Sequence, residues 1–185
     1  MSTMNPVHKN LTSELMLKGL RCLDEKLAKT NSAWRITLII GGGGAMLLAY
    51  AFPLATADID AMAKGIELAE LDRFTKEVAG ELNFASDWLN PYFSTYAHTL
   101  PSDYGSRLTQ VFHGKTIEAL ALGPEDLLIM KCFAHRQKDV AHARALLKNT
   151  IDVKFVEDHL QRLKEKRIPG VDQALEFLWD LIDNE

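Results

Sequence analysis

The sequence predicts an α/β domain, a small sheet covered by helices, with a helical C-terminal part. Three observations lead there. The apolar run Trp34-Arg35-Ile36-Thr37-Leu38-Ile39-Ile40 enters four glycines, Gly41 to Gly44, and continues into Ala45-Met46-Leu47-Leu48-Ala49-Tyr50, which is the pattern of a buried strand, a tight turn and a helix. Further strand patterns lie around Asp58-Ile59-Asp60 and over 108–112 and 116–122. From Pro124 onward the apolar residues recur at helical spacing.

Taken in order, residues 11–28 form an amphipathic helix with Leu15, Leu17, Leu20, Leu23 and Leu27 at its apolar positions and Thr12 or Ser13 as its cap. The strand, glycine turn and apolar helix follow, and the Asp-bearing strand ends near Met62. Leu68, Leu71, Phe74, Val78 and Leu82 mark a second covering helix. Residues 88–105, rich in aromatic and turn residues, read as an irregular loop over a cleft. The strands on either side of His113-Gly114-Lys115 read as a hairpin, and Pro124 opens a long helix. Two more helices, 153–166 and 171–182, are separated by Ile168-Pro169-Gly170. There is no internal repeat.

Length and composition set the frame. With 185 residues, 47% of them hydrophobic, the chain can bury one good core and is expected to form a single compact unit over 1–185, with the α/β core over 31–123 and the helical part over 124–185. A net charge of −4 argues against broad nonspecific nucleic-acid binding and leaves room for a local basic patch. Cys22 and Cys132 lie far apart in helical patterns and read as reduced, buried thiols of a cytosolic protein. Residues 1–9 lack the charged-then-apolar layout of a signal, and no apolar stretch approaches the ~20 residues needed to span a bilayer. The expectation is a cytoplasmic protein with no membrane partner.

The chemistry concentrates at residues 39–60. Asp58 and Asp60, at i and i+2 on a strand, point to one face and are spaced to hold one or two divalent cations, while Ile59 points into the core. The glycines let backbone N–H groups approach a phosphate with no Cβ in the way, at a helix N-terminus that favours anions. No Lys-Ser or Lys-Thr follows Gly44, so this is not a Walker loop, and the acidic pair follows too soon for the dinucleotide fingerprint. The plain alternative is a tight turn beside two solvated strand-end acids.

Gly42-Gly43, the small residue Ala45 and Thr56-Ala57-Asp58-Ile59-Asp60 together resemble the core of the nucleotidyltransferase superfamily, above all the bacterial abortive-infection and toxin–antitoxin type. A second block is similar to the helix motif of those proteins: Gly123-Pro124-Glu125-Asp126-Leu127-Leu128-Ile129-Met130-Lys131, then Ala134, His135, Arg136 and Lys138-Asp139. The likeness covers about residues 34 to 149, and two blocks in this order are more specific than either alone. It implies transfer of a nucleoside monophosphate from an NTP to a hydroxyl of RNA, a protein or a small molecule, with release of pyrophosphate. Mg²⁺ or Mn²⁺ would sit on Asp58 and Asp60, the backbone of Gly42, Gly43 and Gly44 together with Lys131 would hold phosphates, Thr56 would hydrogen-bond nearby, and Asp139 would act directly or orient Lys131. An antitoxin protein is the implied partner.

Such enzymes commonly bring a third acid from a neighbouring strand, and within 116–120 only Glu118 is available. Its alternative reading is a surface Glu on an edge strand. Asp87 and Asp103 lie in segments without a strand pattern. On the long helix, Lys131, His135, Asp139 and His142 follow spacings of four, four and three and form one polar stripe, with Ile129, Cys132, Phe133, Val140, Ala143 and Leu147 on the core side. Lys131 is expected to reach a cleft from an exposed face, where truncation costs little stability. His135, Asp139 and His142 also have the spacing of transition-metal ligands, but no cysteine or second ligand cluster accompanies them, which favours ordinary surface histidines. Two departures stand out: Pro53-Leu54-Ala55 precede Thr56 where an arginine is often found, and His142 stands where an acid is expected. The competing reading is a degenerate, non-catalytic member that binds nucleotide or a partner protein.

Overall fold

The computed structural model describes residues 10–149 and 151–183; residues 1–9, which lack a signal layout, lie outside the described residues. The chain divides into two units, Met1–Phe93 with Thr109–Ala121, and Ser94–Leu108 with Leu122–Glu185. The later boundary between the two units falls at Ala121/Leu122. Helix 11–28 joins the sheet, and the segment 94–108 joins the C-terminal helices.

The first unit is built on a five-stranded mixed sheet of order β3-β2-β1-β5-β4, with β1 Ile36–Ile40, β2 Ile59–Lys64, β3 Leu89–Asn90, β4 Thr109–His113 and β5 Ile117–Ala121. β1 lies at its centre, antiparallel to β2 and parallel to β5. Buried on both faces, β1 reads as a continuous apolar run, as a central strand must. β4 and β5 form the expected hairpin, with a register irregularity between Gln110 and Phe112. The two-residue β3, parallel to β2, lies in the segment expected to be irregular; a strand so short has no alternation to detect.

Among the described residues, three helices belong to this unit. α1 Ser13–Thr30 starts where Thr12 Oγ1 accepts the Leu15 N–H at 3.2 Å. It buries Met16, Leu20, Leu23 and Leu27 completely, so Met16, rather than Leu15 or Leu17, completes the inward stripe. A Cβ on Gly19 of this helix would meet the Trp88 indole at 2.5 Å; the ring needs a residue without a side chain there, and its Nε1–H then donates to the Thr75 carbonyl at 2.9 Å. α2 Gly42–Tyr50 follows the glycine turn. α3 Leu68–Leu82 keeps the bounds expected of it and buries Leu71, Phe74 and Val78.

One polar side chain ties the first helix to the hairpin. Asp24, buried in α1, accepts the backbone N–H groups of Lys115, Thr116 and Ile117 and the Thr116 hydroxyl, at 2.8 to 2.9 Å. Burial pushes its carboxyl up, but these four donors outweigh it and hold the pKa below the ordinary aspartate value.

The second unit is helical: α4 Pro124–Ala134, α5 Gln137–Leu147, α6 Val153–Glu165 and α7 Val171–Asp183, together with two short 3-10 turns, Ala97–Thr99 and Tyr104–Arg107. α4 is its hub. Pro124 occupies the first turn, and every residue from Asp126 to Phe133 is buried, because α5, α6 and α7 all pack against it. The single long helix of the sequence reading is therefore two. α4 ends at His135, whose φ of 34° is left-handed, and Arg136 caps α5. Among the described residues no helix is long and apolar enough to cross a membrane.

Candidate active site

The glycine turn sits directly against the acidic strand. The Gly41 N–H donates to the Asp60 carbonyl at 2.9 Å, which places Asp60 opposite the turn. Gly42 has φ +57°, and a Cβ there would stand 3.0 Å from Asp60 Oδ2; a side chain would both strain the turn and push into the carboxylate. A Cβ on Gly43 would come 3.0 Å from Thr56 Oγ1, and one on Gly44 would reach 3.4 Å from the Ile59 Cα. Helix α2 therefore begins within a side chain's reach of Thr56, Asp58 and Asp60. The N–H groups of its first turn, Gly42, Gly43 and Gly44, have no intrahelical acceptor to use.

The acidic strand is held from both sides. Ile59 is fully buried between the two aspartates, and its N–H donates to the Trp88 carbonyl at 2.7 Å. Thr56 Oγ1 lies 3.3 Å from the Asp58 carbonyl oxygen and 3.4 Å from Asp58 Oδ1. On β3 the register partner of Asp60 is Asn90, whose Nδ2–H donates to Asp60 Oδ1 at 3.1 Å while its Oδ1 accepts the Tyr92 N–H at 3.1 Å. Both ends of the Asn90 amide are thereby fixed. Sequence reasoning passed over this residue because only the cross-strand register brings it to the site. The Phe93 ring also closes on the turn, since a Cβ on Gly41 would collide with it.

Glu118 does not join the pair. It is the register partner of Thr37 on one side and of His113 on the other, whereas Asp60 stands opposite Gly41. The four-residue step from Thr37 to Gly41 is about 13 Å along the strand, beyond any carboxylate's reach, so the expected third ligand lies at the other end of the sheet. Among the described residues no three His, Cys, Asp or Glu side chains gather where they could hold a metal ion. Nor do His135, Asp139 and His142 form such a group.

The second sequence block forms a buried ionic cluster within the helical unit. Lys131, 5% exposed, donates to Asp139 Oδ1 at 2.6 Å and to His142 Nδ1 at 3.2 Å. Asp139 is fully buried and also accepts the Arg136 Nε–H at 2.7 Å and, weakly, the Arg136 backbone N–H at 3.3 Å. Burial raises the Asp139 carboxyl, but Arg136 and Lys131 together hold its pKa below the ordinary value. Burial and then the Lys131 charge lower that of His142. These residues meet because the chain breaks at His135 and folds back; His135 itself faces solvent, with its Nδ1–H donating to the Phe133 carbonyl. The expectation of Lys131 on an exposed helix face is thus corrected. In the same unit Asp126, fully buried, receives two N–H donors from Arg107 at 2.8 and 2.9 Å.

A mixed sheet whose central strand turns through glycines into a helix, with Asp60 on the adjoining antiparallel strand and Asp58 just before that strand begins, defines a nucleotidyltransferase-like α/β fold. The chain belongs to the family described as nucleotidyltransferase of unknown function (DUF6036), whose model matches residues 18–173. No curated protein and no solved structure matches it.

Proposed function

We propose that the protein transfers a nucleoside monophosphate from an NTP to a hydroxyl acceptor in a metal-dependent reaction at Asp58 and Asp60. The observation that carries this reading is the Asp60 carboxylate set against the Gly42 turn, with Asp58 two residues earlier. Two carboxylates at i and i+2 where β2 begins, beside backbone N–H groups suited to phosphate, fit Mg²⁺ or Mn²⁺, which binds through one or two carboxylates and completes its shell with water and substrate phosphate oxygens. When bound, the cation would neutralise phosphate charge and ease deprotonation of the attacking hydroxyl.

The chain's own groups do the rest. Asn90 fixes the orientation of Asp60, Thr56 steadies Asp58, and the N–H groups of Gly42, Gly43 and Gly44 receive phosphate oxygens at the α2 N-terminus. The acceptor oxygen bonds to the α-phosphorus as the bond to pyrophosphate breaks, and the hydroxyl proton leaves to solvent. Lys131 and Asp139 enter this reading as the pair that shapes the helical unit rather than as phosphate ligands. The motif likeness extends the proposal to an acceptor hydroxyl on RNA, a protein or a small molecule and to an antitoxin partner, and the proposed setting is cytoplasmic. The second reading, a non-catalytic nucleotide or partner binder, is favoured by Asn90, since the side chain that the register sets beside Asp60 is a neutral amide and not an acid.

The test is calorimetry with Mg-NTP. The wild type is expected to show a binding event that requires the divalent cation, and Asp58→Asn/Asp60→Asn to lose most of that cation-dependent affinity while keeping its fold, since Asn preserves shape and removes charge. Equal cation-dependent affinity in the two proteins removes the site from consideration.

A further inference from the structure

The helical unit holds a second candidate site. A cavity of about 440 Å³ opens between α6 and the segment around Pro101. Phe155, His159, Arg162 and Lys166 reach it from one face of α6 and its cap, at spacings of four, three and four. His98 stands on the opposite rim, and Leu100, Leu163 and Ile168 add apolar lining.

The charges on this helix are sorted by direction. Lys154 pairs with Asp158 at 2.6 Å, and Lys164 pairs with Asp172 at 2.8 Å. Arg162 and Lys166, which line the cavity, have no carboxylate partner among the described residues. The one acid in the lining, Asp103, is paired with Arg107 at 3.0 Å. The scaffold is fixed: the His159 Nε2–H donates to the Thr99 carbonyl at 2.7 Å, tying α6 to the opposite wall, and the Arg107 guanidinium lies 4.9 Å from the centre of the Phe155 ring. The cavity thus combines an apolar wall with two cations that have no carboxylate partner among the described residues and one acid, Asp103, that shares Arg107 with Asp126.

We propose that this cavity binds a nucleotide unit, with the ring system against Phe155 and its apolar neighbours and the phosphate between Arg162, Lys166 and His98. The volume suits it, because small-molecule pockets run from about 300 to 1,000 Å³ and a mononucleotide sits at the lower end. Two cations favour a doubly charged phosphate over a singly charged carboxylate, and the arginine fork can meet phosphate oxygens with paired N–H donors. The unit is either a free mononucleotide or one residue of a polynucleotide strand. The proposal does not depend on transfer chemistry at Asp58 and Asp60.

The test uses the full chain carrying Asp58→Asn/Asp60→Asn, in chelator and without divalent cation, so that its outcome is separate from that of the transfer reading. Adenosine monophosphate, a 5′-phosphorylated RNA tetranucleotide, adenosine and inorganic phosphate are titrated by calorimetry. At least one of the two nucleotide probes is expected to bind, with adenosine and phosphate weaker by more than tenfold, and Arg162→Gln/Lys166→Gln is expected to weaken it by about tenfold or more, the scale of one charge-assisted contact. Equal binding of the two nucleotide probes identifies a mononucleotide site; tighter binding of the tetranucleotide identifies a strand site. Lys18→Gln/Lys29→Gln, which removes the same net charge from exposed positions on α1, is expected to change nothing. His98→Ala, on the facing rim, repeats the loss without touching α6. Binding of neither nucleotide probe, adenosine binding as tightly as its phosphate, or nucleotide affinity unchanged by both rim variants overturns the proposal.

Discussion

Lys131→Ala is expected to destabilise the protein by about 3 kcal/mol, the lower end of the cost of removing one member of a buried ion pair. An exposed lysine would cost no more than about half a kcal/mol, so the two readings of this residue differ well beyond measurement error. The larger value follows because Lys131 is 5% exposed and its partner Asp139 is fully buried. Truncation leaves that carboxylate with Arg136 alone and strips His142 of its donor. Lys131→Met, which keeps the volume, is expected to recover little, since the unpaired charge is what costs. Denaturant unfolding of the variants decides it; a loss within half a kcal/mol would return Lys131 to the solvent-facing role that its spacing suggested.

Asp24→Ala is expected to cost at least as much. Three backbone N–H groups and one hydroxyl lose their acceptor at once, and a buried donor left unsatisfied costs about 1 to 3 kcal/mol. Gly114→Ala should act on the same contact, because its Cβ would collide with the Asp24 carboxylate. The effect carries a pH signature. A carboxyl whose folded pKa lies below its unfolded value stabilises the fold above the unfolded pKa, about 3.9, and that contribution is lost as pH falls through the folded value. The gap between wild type and Asp24→Ala in urea unfolding should therefore be full near neutrality and narrow in acid. A gap that stays constant down to the acid limit would show that the carboxylate is not what the hairpin turn needs.

Much of the fold was legible because local chemistry dictates it. Thr12 caps α1, Pro124 opens α4, and the apolar spacing of Leu71, Phe74 and Val78 marks α3, each within a few residues of chain. What escaped depends on partners distant in sequence. Asp24 sits in an amphipathic pattern as an ordinary helix acid, and its acceptor role exists only once residues 115–117 arrive. Asn90 becomes part of the site, and Glu118 leaves it, through strand register alone. The break at His135 carries no Gly or Pro to announce it; it closes because folding back lets Lys131 meet Asp139, a gain that no helical wheel contains. The two aspartates and the glycine turn were readable because one strand period and one tight turn suffice to join them.

Catalysis by Asp58 and Asp60, as proposed, is open to direct measurement. The assay is transfer of label from α-³²P-labelled NTPs, with magnesium, to total cellular RNA and protein, comparing wild type with Asp58→Asn and Asp60→Asn. A labelled product that requires the cation is expected with wild type, and a rate lower by about a thousandfold in either variant, the scale of several kcal/mol of lost charge stabilisation. Labelling that persists at the wild-type rate in both variants contradicts the proposal.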